Sequence, residues 1–219
     1  MPLAYAEFPS DDSSLLTCCQ RACPIGTDVS AYIALVAQVR FSEALAIVRE
    51  ENPFPGICGR VCDHACEMHC RRAESDQPVA IRALKRFLAD RERAGEVRWP
   101  ERIVPWRSQR AAVIGAGPAG LTAASDLLRR GFHVTVFEAL SMAGGMMRVG
   151  IPDYRLPPDV LEFDLKHLCS LGIEIRLGTA LGRDFTLGDL KAEGYKAVLL
   201  ATGAHGSRRL KVRGAEYPA

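Results

Sequence analysis

The chain has 219 residues, enough for one or two domains, with 48% hydrophobic residues, 25% charged residues and a net charge of +2. Lys plus Arg against Asp plus Glu is 14 to 15 over residues 1–109 and 14 to 11 over 110–219, so neither half carries the basic field that nucleic acid or an anionic membrane selects. The opening stretch MPLAYAEFPSDD lacks a basic and an apolar signal region, and no apolar run nears the roughly 18 residues of a membrane span. These features point to a soluble cytoplasmic protein, a setting in which thiols stay reduced.

Seven of the eight cysteines fall between residues 18 and 70, a clustering better suited to metal than to disulfides. CCQRACP holds Cys18 and then Cys19-x-x-x-Cys23-Pro24, the closing half of a bacterial ferredoxin run. Residues 28–51 show apolar positions at helical intervals and predict two short helices, with Asp28 and Ser42 placed to cap them and Pro53 and Pro55 ending the pair. Cys58, Cys62, Cys66 and Cys70 follow at four-residue intervals. Two separated C-x-x-C knuckles would favour zinc, and the chain has none there, so the spacing favours iron–sulfur. Two 4Fe–4S clusters take eight ligands against the seven cysteines of this region, so one cluster is expected and a second is left open. His64 and His69 lie inside the run and read as surface residues more than as ligands.

A further helix is predicted over 78–93, with Pro78 in its first turn and an apolar face of Ile81, Leu84 and Leu88. Its basic side, Arg82, Lys85 and Arg86, reads as a solvated face, or else as a surface for an electron-transfer partner. Residues 95–109 show no period and contain Gly95, Pro100 and Pro105, the texture of a linker. The chain therefore divides into 1–94, a linker over 95–109, and 110–219.

From residue 110 strands and helices alternate: a strand RAAVIG, a helix over 118–130, a strand HVTVFE, a helix over 158–171, and strands IEIRL and KAVLLAT. That order predicts a parallel α/β sheet. VIGAGPAG places Gly115, Gly117 and Gly120 as G-x-G-x-x-G between strand and helix, with Glu138 ending the next strand. Gly115 allows the tight turn, Gly117 lets backbone approach a pyrophosphate, Gly120 lets helix and sheet pack, and Glu138 accepts from a ribose. A second glycine-rich stretch, SMAGGMMRVGIPDYRLP, tips the reading to FAD over a nicotinamide nucleotide. There Gly144 and Gly145 admit a bulky ligand, and Arg148 and Arg155 are either cations for phosphate or ring oxygens or members of surface ion pairs. Thr202 and Gly203, in ATG after the last strand, bring small residues to the same cofactor.

CQRACPIGTDVSAYIALVAQVRFSEALAIVREENPFPGICGRVCDHACEMHCRR, PVAIRALKRFLAD, AAVIGAGPAGLTAA, FEALSMAGGMMRVGIPDYRLP and GYKAVLLATGAH resemble the glutamate synthase small (β) subunit family, which includes the N-terminal region of dihydropyrimidine dehydrogenase. The resemblance runs from about Cys19 to His205. It implies an α + α/β chain: an N-terminal all-helical iron–sulfur domain, then the first part of a Rossmann-like FAD-binding α/β domain. On that pattern Cys23, Cys62 and Cys66 bind one 4Fe–4S cluster, Cys19 and Cys70 serve another, and Cys58 lies outside the ligand set. Gly115, Ala116, Gly117, Pro118 and Ala119, the stretch from Glu138 through Gly144 and Gly145 to Met146, Arg155 and Leu181 match FAD-contacting positions.

Two departures from the pattern stand out. SDDSSLLT replaces the two upstream cysteines of two-cluster relatives, with Cys18 available for a rearranged set, and Lys85 stands where dihydropyrimidine dehydrogenase has a glutamine ligand. The sequence also stops at Ala219 without a second G-x-G-x-x-G, so NAD(P)H would be held by a region absent here. The expected function is an electron-transfer subunit or fragment of an NAD(P)H-dependent oxidoreductase, passing electrons between NAD(P)H, FAD and 4Fe–4S to a larger redox subunit, without a catalytic side chain. By itself it should not oxidise NADPH. The alternatives are a non-catalytic docking module of a larger redox complex and a zinc-stabilised nucleotide-binding protein.

Overall fold

The computed structural model describes residues 16–98, 105–204 and 206. Over 16–98 every regular element is a helix. Helix α1 (Cys18–Ala22) is capped by Thr17, whose hydroxyl accepts from the Gln20 N–H at 3.4 Å. Helix α2 (Val29–Ala37) starts at Asp28, whose carboxylate accepts from the Ala31 N–H at 3.0 Å, as expected. Helix α3 (Phe41–Glu51) starts at Arg40, so Ser42 lies inside it and is not its cap. The turn at Val39, with φ of 61°, ends one helix and lets the next begin almost at once.

Pro55 opens a helix as well as following one. It occupies the first turn of α4 (Pro55–Val61), where its missing N–H costs no hydrogen bond. Short α5 (Ala65–Met68) and a 3-10 turn over Arg71–Glu74 carry the remaining cysteines. Helix α6 (Ile81–Arg93) begins three residues later than Pro78, which stands before it. The solvated basic face expected on α6 is not what forms. Arg86 is exposed, Arg82 is half-buried, and Lys85 is buried at 5% exposure, because α6 packs this side on α4.

The second half contains β1 (Arg110–Ile114), α7 (Pro118–Arg129), β2 (His133–Phe137), α8 (Met146–Val149), α9 (Pro158–Ser170), β3 (Glu174–Arg176), α10 (Leu187–Ala192) and β4 (Tyr195–Leu200). All pairings are parallel, in the order β3-β2-β1-β4. Helix α10 was not expected. Its start is a capping box in which Thr186 and Asp189 each accept from the other's backbone N–H.

Two larger cores result, and the first crosses the sequence divide. Phe54 and Ile57, at the start of α4, are buried with Val113, Leu121, Val160 and Leu165 of the α/β half. The second core, with Tyr32, Leu45, Val48, Cys66, Ile81 and Leu88, holds the helical half together. Trp106, within the expected linker, stacks on His133 with ring centroids 4.8 Å apart. Strand β4 buries Tyr195 but leaves Val198, Leu199 and Leu200 at 38%, 41% and 60% exposure. No helix of the described residues is long and apolar enough to cross a membrane.

Candidate cofactor sites

The glycine-rich turn joins β1 to α7. Gly115 has φ of +111°, and a Cβ there would stand 2.3 Å from the Ala201 carbonyl oxygen, so only glycine lets the turn lie against the end of β4. A Cβ on Gly120 would meet the Gly115 carbonyl oxygen at 2.0 Å, so its absence closes helix onto turn. Gly117 differs. A Cβ there would meet nothing nearer than the Gly145 Cα at 4.0 Å, because Gly117 faces open space at the start of α7.

That space is a cleft of about 210 Å³ lined by Gly115, Gly117, Pro118, Ala119, Glu138, Gly145, Met146, Ala201, Thr202 and Gly203. A second hollow of about 400 Å³ shares Gly115, Glu138 and Thr202 and runs on to Ala139, Leu140, Thr179, Ala180 and Leu181. Glu138 stands between the two. It is 7% exposed, and its carboxylate accepts from the Ala116 N–H at 2.8 Å and the Leu140 N–H at 2.9 Å. Two amides therefore hold the carboxylate rigid while each oxygen keeps a free lone pair. Gly144 sits behind the cleft, donating to the Ala116 carbonyl at 2.8 Å.

The arginines separate. Arg148 donates to the Ala143 carbonyl at 2.6 Å and pairs with Glu162, so it is held in an ion pair rather than available to a ligand. Arg155 is exposed and lines a different pocket with Gly59, Arg60, Arg82, Ala83 and Arg86, away from the glycine-rich turn. Ala139 and Leu140, from the stretch that follows Glu138, line the second hollow, and so do Thr179 and Ala180, which the sequence did not single out and which arrive only through tertiary packing.

The thiols gather where α1 packs on α5, which brings Cys19 and Cys23 to Cys66. Cys66 is 7% exposed in the helical core. Its thiol is pushed up to about 11, by burial first, with Lys85 pulling the other way and Cys23 and Cys62 adding to the rise. Burial, then the Cys66, Cys19 and Cys23 thiols, raise the Tyr32 hydroxyl, and that hydroxyl donates to the Ile81 carbonyl at 2.9 Å. Cys62, half-buried, lies at the bend between α4 and α5. Its sulfur accepts from the His64 N–H at 3.3 Å, with His64 at φ of 52°. Cys70 precedes the 3-10 turn and is half-buried.

Cys58 packs against the other core, and burial raises its thiol above the usual range. Cys18 is half-buried at the start of α1 and Cys169 is exposed on α9. His69 is exposed with Nδ1 at 2.9 Å from the Ala65 carbonyl, a surface role. Among the described residues no three His, Cys, Asp or Glu side chains converge on one point as the ligands of a single ion do. A cubane spreads its thiolates wider than one ion does. Sulfur donors from two segments beside a buried cation suit such a group.

The halves meet at a buried ionic junction. Asp164 of α9 accepts the Ile57 N–H at 3.1 Å, Arg49 of α3 stands 3.7 Å from its other oxygen, and Arg49 also pairs with Glu92 of α6 at 2.6 Å. Arg129 of α7 donates to the carbonyls of Arg49, at 3.0 Å, and Glu50.

A helical thiol unit sharing a core with a parallel α/β unit that carries a glycine-rich turn defines a class: an iron–sulfur domain joined to a dinucleotide-binding domain. Residues 13–97 match the family model described as dihydropyrimidine dehydrogenase domain II, 4Fe-4S cluster, and residues 113–164 match that described as NAD(P)-binding Rossmann-like domain. The chain is 44% identical over 218 residues to the NADP(+)-dependent formate dehydrogenase subunit beta of Moorella thermoacetica, covering 90% of this chain and 31% of that protein. It is 42% identical to the NADPH-Fe(3+) oxidoreductase subunit beta of Geobacter sulfurreducens, over 90% of this chain and 29% of that protein. Its identity to the NAD-dependent dihydropyrimidine dehydrogenase subunit PreT of Salmonella typhimurium is 36%, over 84% of this chain and 45% of that protein. The chain thus spans less than half the length of each of these relatives.

Proposed function

We propose that this chain is the electron-transfer portion of an NAD(P)H-dependent oxidoreductase of the cytoplasm, handing electrons to a larger redox subunit. FAD occupies the cleft at the glycine-rich turn, and a 4Fe–4S cluster lies among Cys23, Cys62 and Cys66. Cys19 and Cys70 stand beside it for a further or rearranged ligand set. Residues 1–94 form the iron–sulfur domain, 95–109 the linker and 110–219 the first part of the FAD domain. When bound, FAD accepts a hydride and releases electrons one at a time, which a cluster can accept and zinc cannot.

The chain's own residues do the holding. Gly117 and the α7 N-terminus leave backbone N–H groups facing the pyrophosphate, and Glu138, fixed by two amides, accepts from the ribose. The observation that carries the reading is the shared core. Phe54 and Ile57, four or fewer residues ahead of Cys58, are buried in the α/β unit, so the thiol helices are built onto the nucleotide fold. NAD(P)H binding is assigned to a part of the relatives' length that this chain does not span. The exposed apolar residues of β4 favour further chain beside that strand.

Anaerobic reconstitution with iron and sulfide, followed by iron and zinc analysis, an absorption spectrum and FAD titration, tests the reading. The expected result is about four irons per cluster and FAD binding. Cys62→Ser or Cys66→Ser should abolish the cluster and Cys169→Ser should retain it. Full iron content in Cys62→Ser would refute the ligand assignment, and tight NADPH binding without FAD binding would refute the flavin assignment.

A further inference from the structure

A hollow of about 340 Å³ opens between the two halves, and its charge is one-sided. Its lining includes Arg60 of α4, Arg82 and Arg86 of α6, and Tyr154 and Arg155 from the turn ahead of α9, with no carboxylate among the described residues that line it. It shares no residue with the cleft at the glycine-rich turn or with the hollow beside Glu138.

Sequence and packing set these cations together. Arg82 and Arg86 are four residues apart and share a face of α6. Gly59 lets α6 close on α4, since a Cβ there would stand 2.8 Å from the Arg86 Cα. Arg60, whose side chain is 7% exposed, donates to the Gly56 carbonyl at 3.0 Å and to Asp90 at 2.6 Å. Arg86 donates from Nε to the same Asp90 at 3.3 Å, and Arg93 reaches it at 3.9 Å. Arg82 donates from Nη1 to the Cys62 carbonyl at 2.9 Å, a neutral acceptor. Arg155 is exposed, and its guanidinium has no hydrogen bond or ion pair among the described residues. Of the other acids on these segments, Asp159 pairs with Arg93, Glu67 accepts the Arg82 backbone N–H at 2.8 Å, and Asp153 is exposed outside the lining.

Four guanidiniums thus stand against one shared carboxylate, an excess of three positive charges around a concave surface. The Nε and Nη2 of Arg82, both Nη groups of Arg86 and the whole Arg155 fork remain uncommitted among the described residues. Such forks match phosphate oxygens two at a time. A single carboxylate brings one negative charge, whereas each phosphate monoester brings roughly 1.5 to 2 at neutral pH, so the excess suits phosphate groups. The volume lies at the small end of ligand pockets. The Tyr154 ring, 91% exposed, is available to stack on a base.

We propose that this hollow binds the phosphate groups of a small phosphorylated molecule, at a site separate from the cleft at the glycine-rich turn. The test is calorimetric titration of the FAD-saturated full chain with pyrophosphate and with ADP, in chloride buffer free of phosphate. One site is expected for each ligand. Arg86→Gln and Arg155→Gln change exposed side chains, and the double variant should bind pyrophosphate roughly tenfold or more weakly. Arg183→Gln removes an equal charge from an exposed position outside the hollow and should leave binding unchanged. Equal affinity for the two ligands supports a site for the phosphates alone, and tighter ADP binding supports a nucleotide site. The proposal is overturned if the wild type binds neither ligand, or if Arg183→Gln weakens binding as much as the double variant does. Pyrophosphate binding that disappears when FAD is added overturns it too, since the hollow would then belong to the flavin site. A chain that takes up no FAD counts against the flavin reading alone, because the arginine variants still report on the hollow.

Discussion

At Gly117 a side chain would have only the cleft to occupy, since the nearest atom a Cβ would meet is 4.0 Å away. Gly117→Val should therefore leave the fold intact and cut FAD affinity at least tenfold, read by fluorescence titration beside an unchanged thermal midpoint. A second residue-scale expectation concerns Asp164 and His167, both on α9. Asp164 is pushed up to about 7, by burial first, against the pull of Arg49 and of the Ile57 and Gly56 amides. Between its ordinary 3.8 and about 7 the folded chain keeps a proton that the unfolded chain has lost, so this group's contribution to stability falls as pH rises. His167 is driven down to about 4, by burial and then by Arg49, so from about 4 to its ordinary 6.5 the unfolded chain holds the extra proton and stability rises with pH. The two trends oppose each other across that window. Asp164→Asn removes the first, and denaturation at a series of pH values should show stability climbing from pH 4 to 6.5 more steeply than in the wild type. Equal slopes would contradict the assignment. The glycine motif was legible in the sequence because what Gly115 and Gly120 avoid lies within the turn or at the neighbouring strand end. Lys85 was misread, since its burial depends on α4, a helix the cysteine spacing did not reveal.

Among the elements, α4 and α6 pack backbone against backbone. A methyl on Gly59 would sit 2.8 Å from the Arg86 Cα, closer than carbon atoms pack without backbone movement. Gly59→Ala should cost roughly 1–3 kcal/mol of stability, measured by denaturant titration, because two helix backbones must separate to admit it. Long periodic helices such as α9, and strands with compact apolar runs such as β1 and β2, were readable from residue order alone. Short helices were not. The cores of α1, α4 and α5 contain cysteines spaced by chemistry rather than by an apolar stripe, and α10 announces itself only through Thr186 and Asp189. Ser42 shows the opposite error. It is a good capping residue one position inside a helix whose start was set by the turn at Val39.

For the whole molecule, the expected linker falls after the point where the two halves become one core. Phe54 is 5% exposed in a cluster otherwise built mainly from the α/β half. Phe54→Ala should destabilise the chain by about 3–5 kcal/mol, and the loss should appear in unfolding of both halves together in calorimetry. A melt in which only the helical half responds would show that the units are independent. Composition could not reveal this, because nothing in residues 52–57 distinguishes an apolar residue buried among its own helices from one buried in a neighbour. The outer side of β4 carries a colloidal consequence. Among the described residues it is an unpaired strand edge bearing Val198, Leu199 and Leu200, a template on which other strands can align and apolar dyes can settle. Light scattering of the 219-residue chain should rise with concentration, and the shelf life of a preparation will be governed by that strip of surface rather than by the stability of either core.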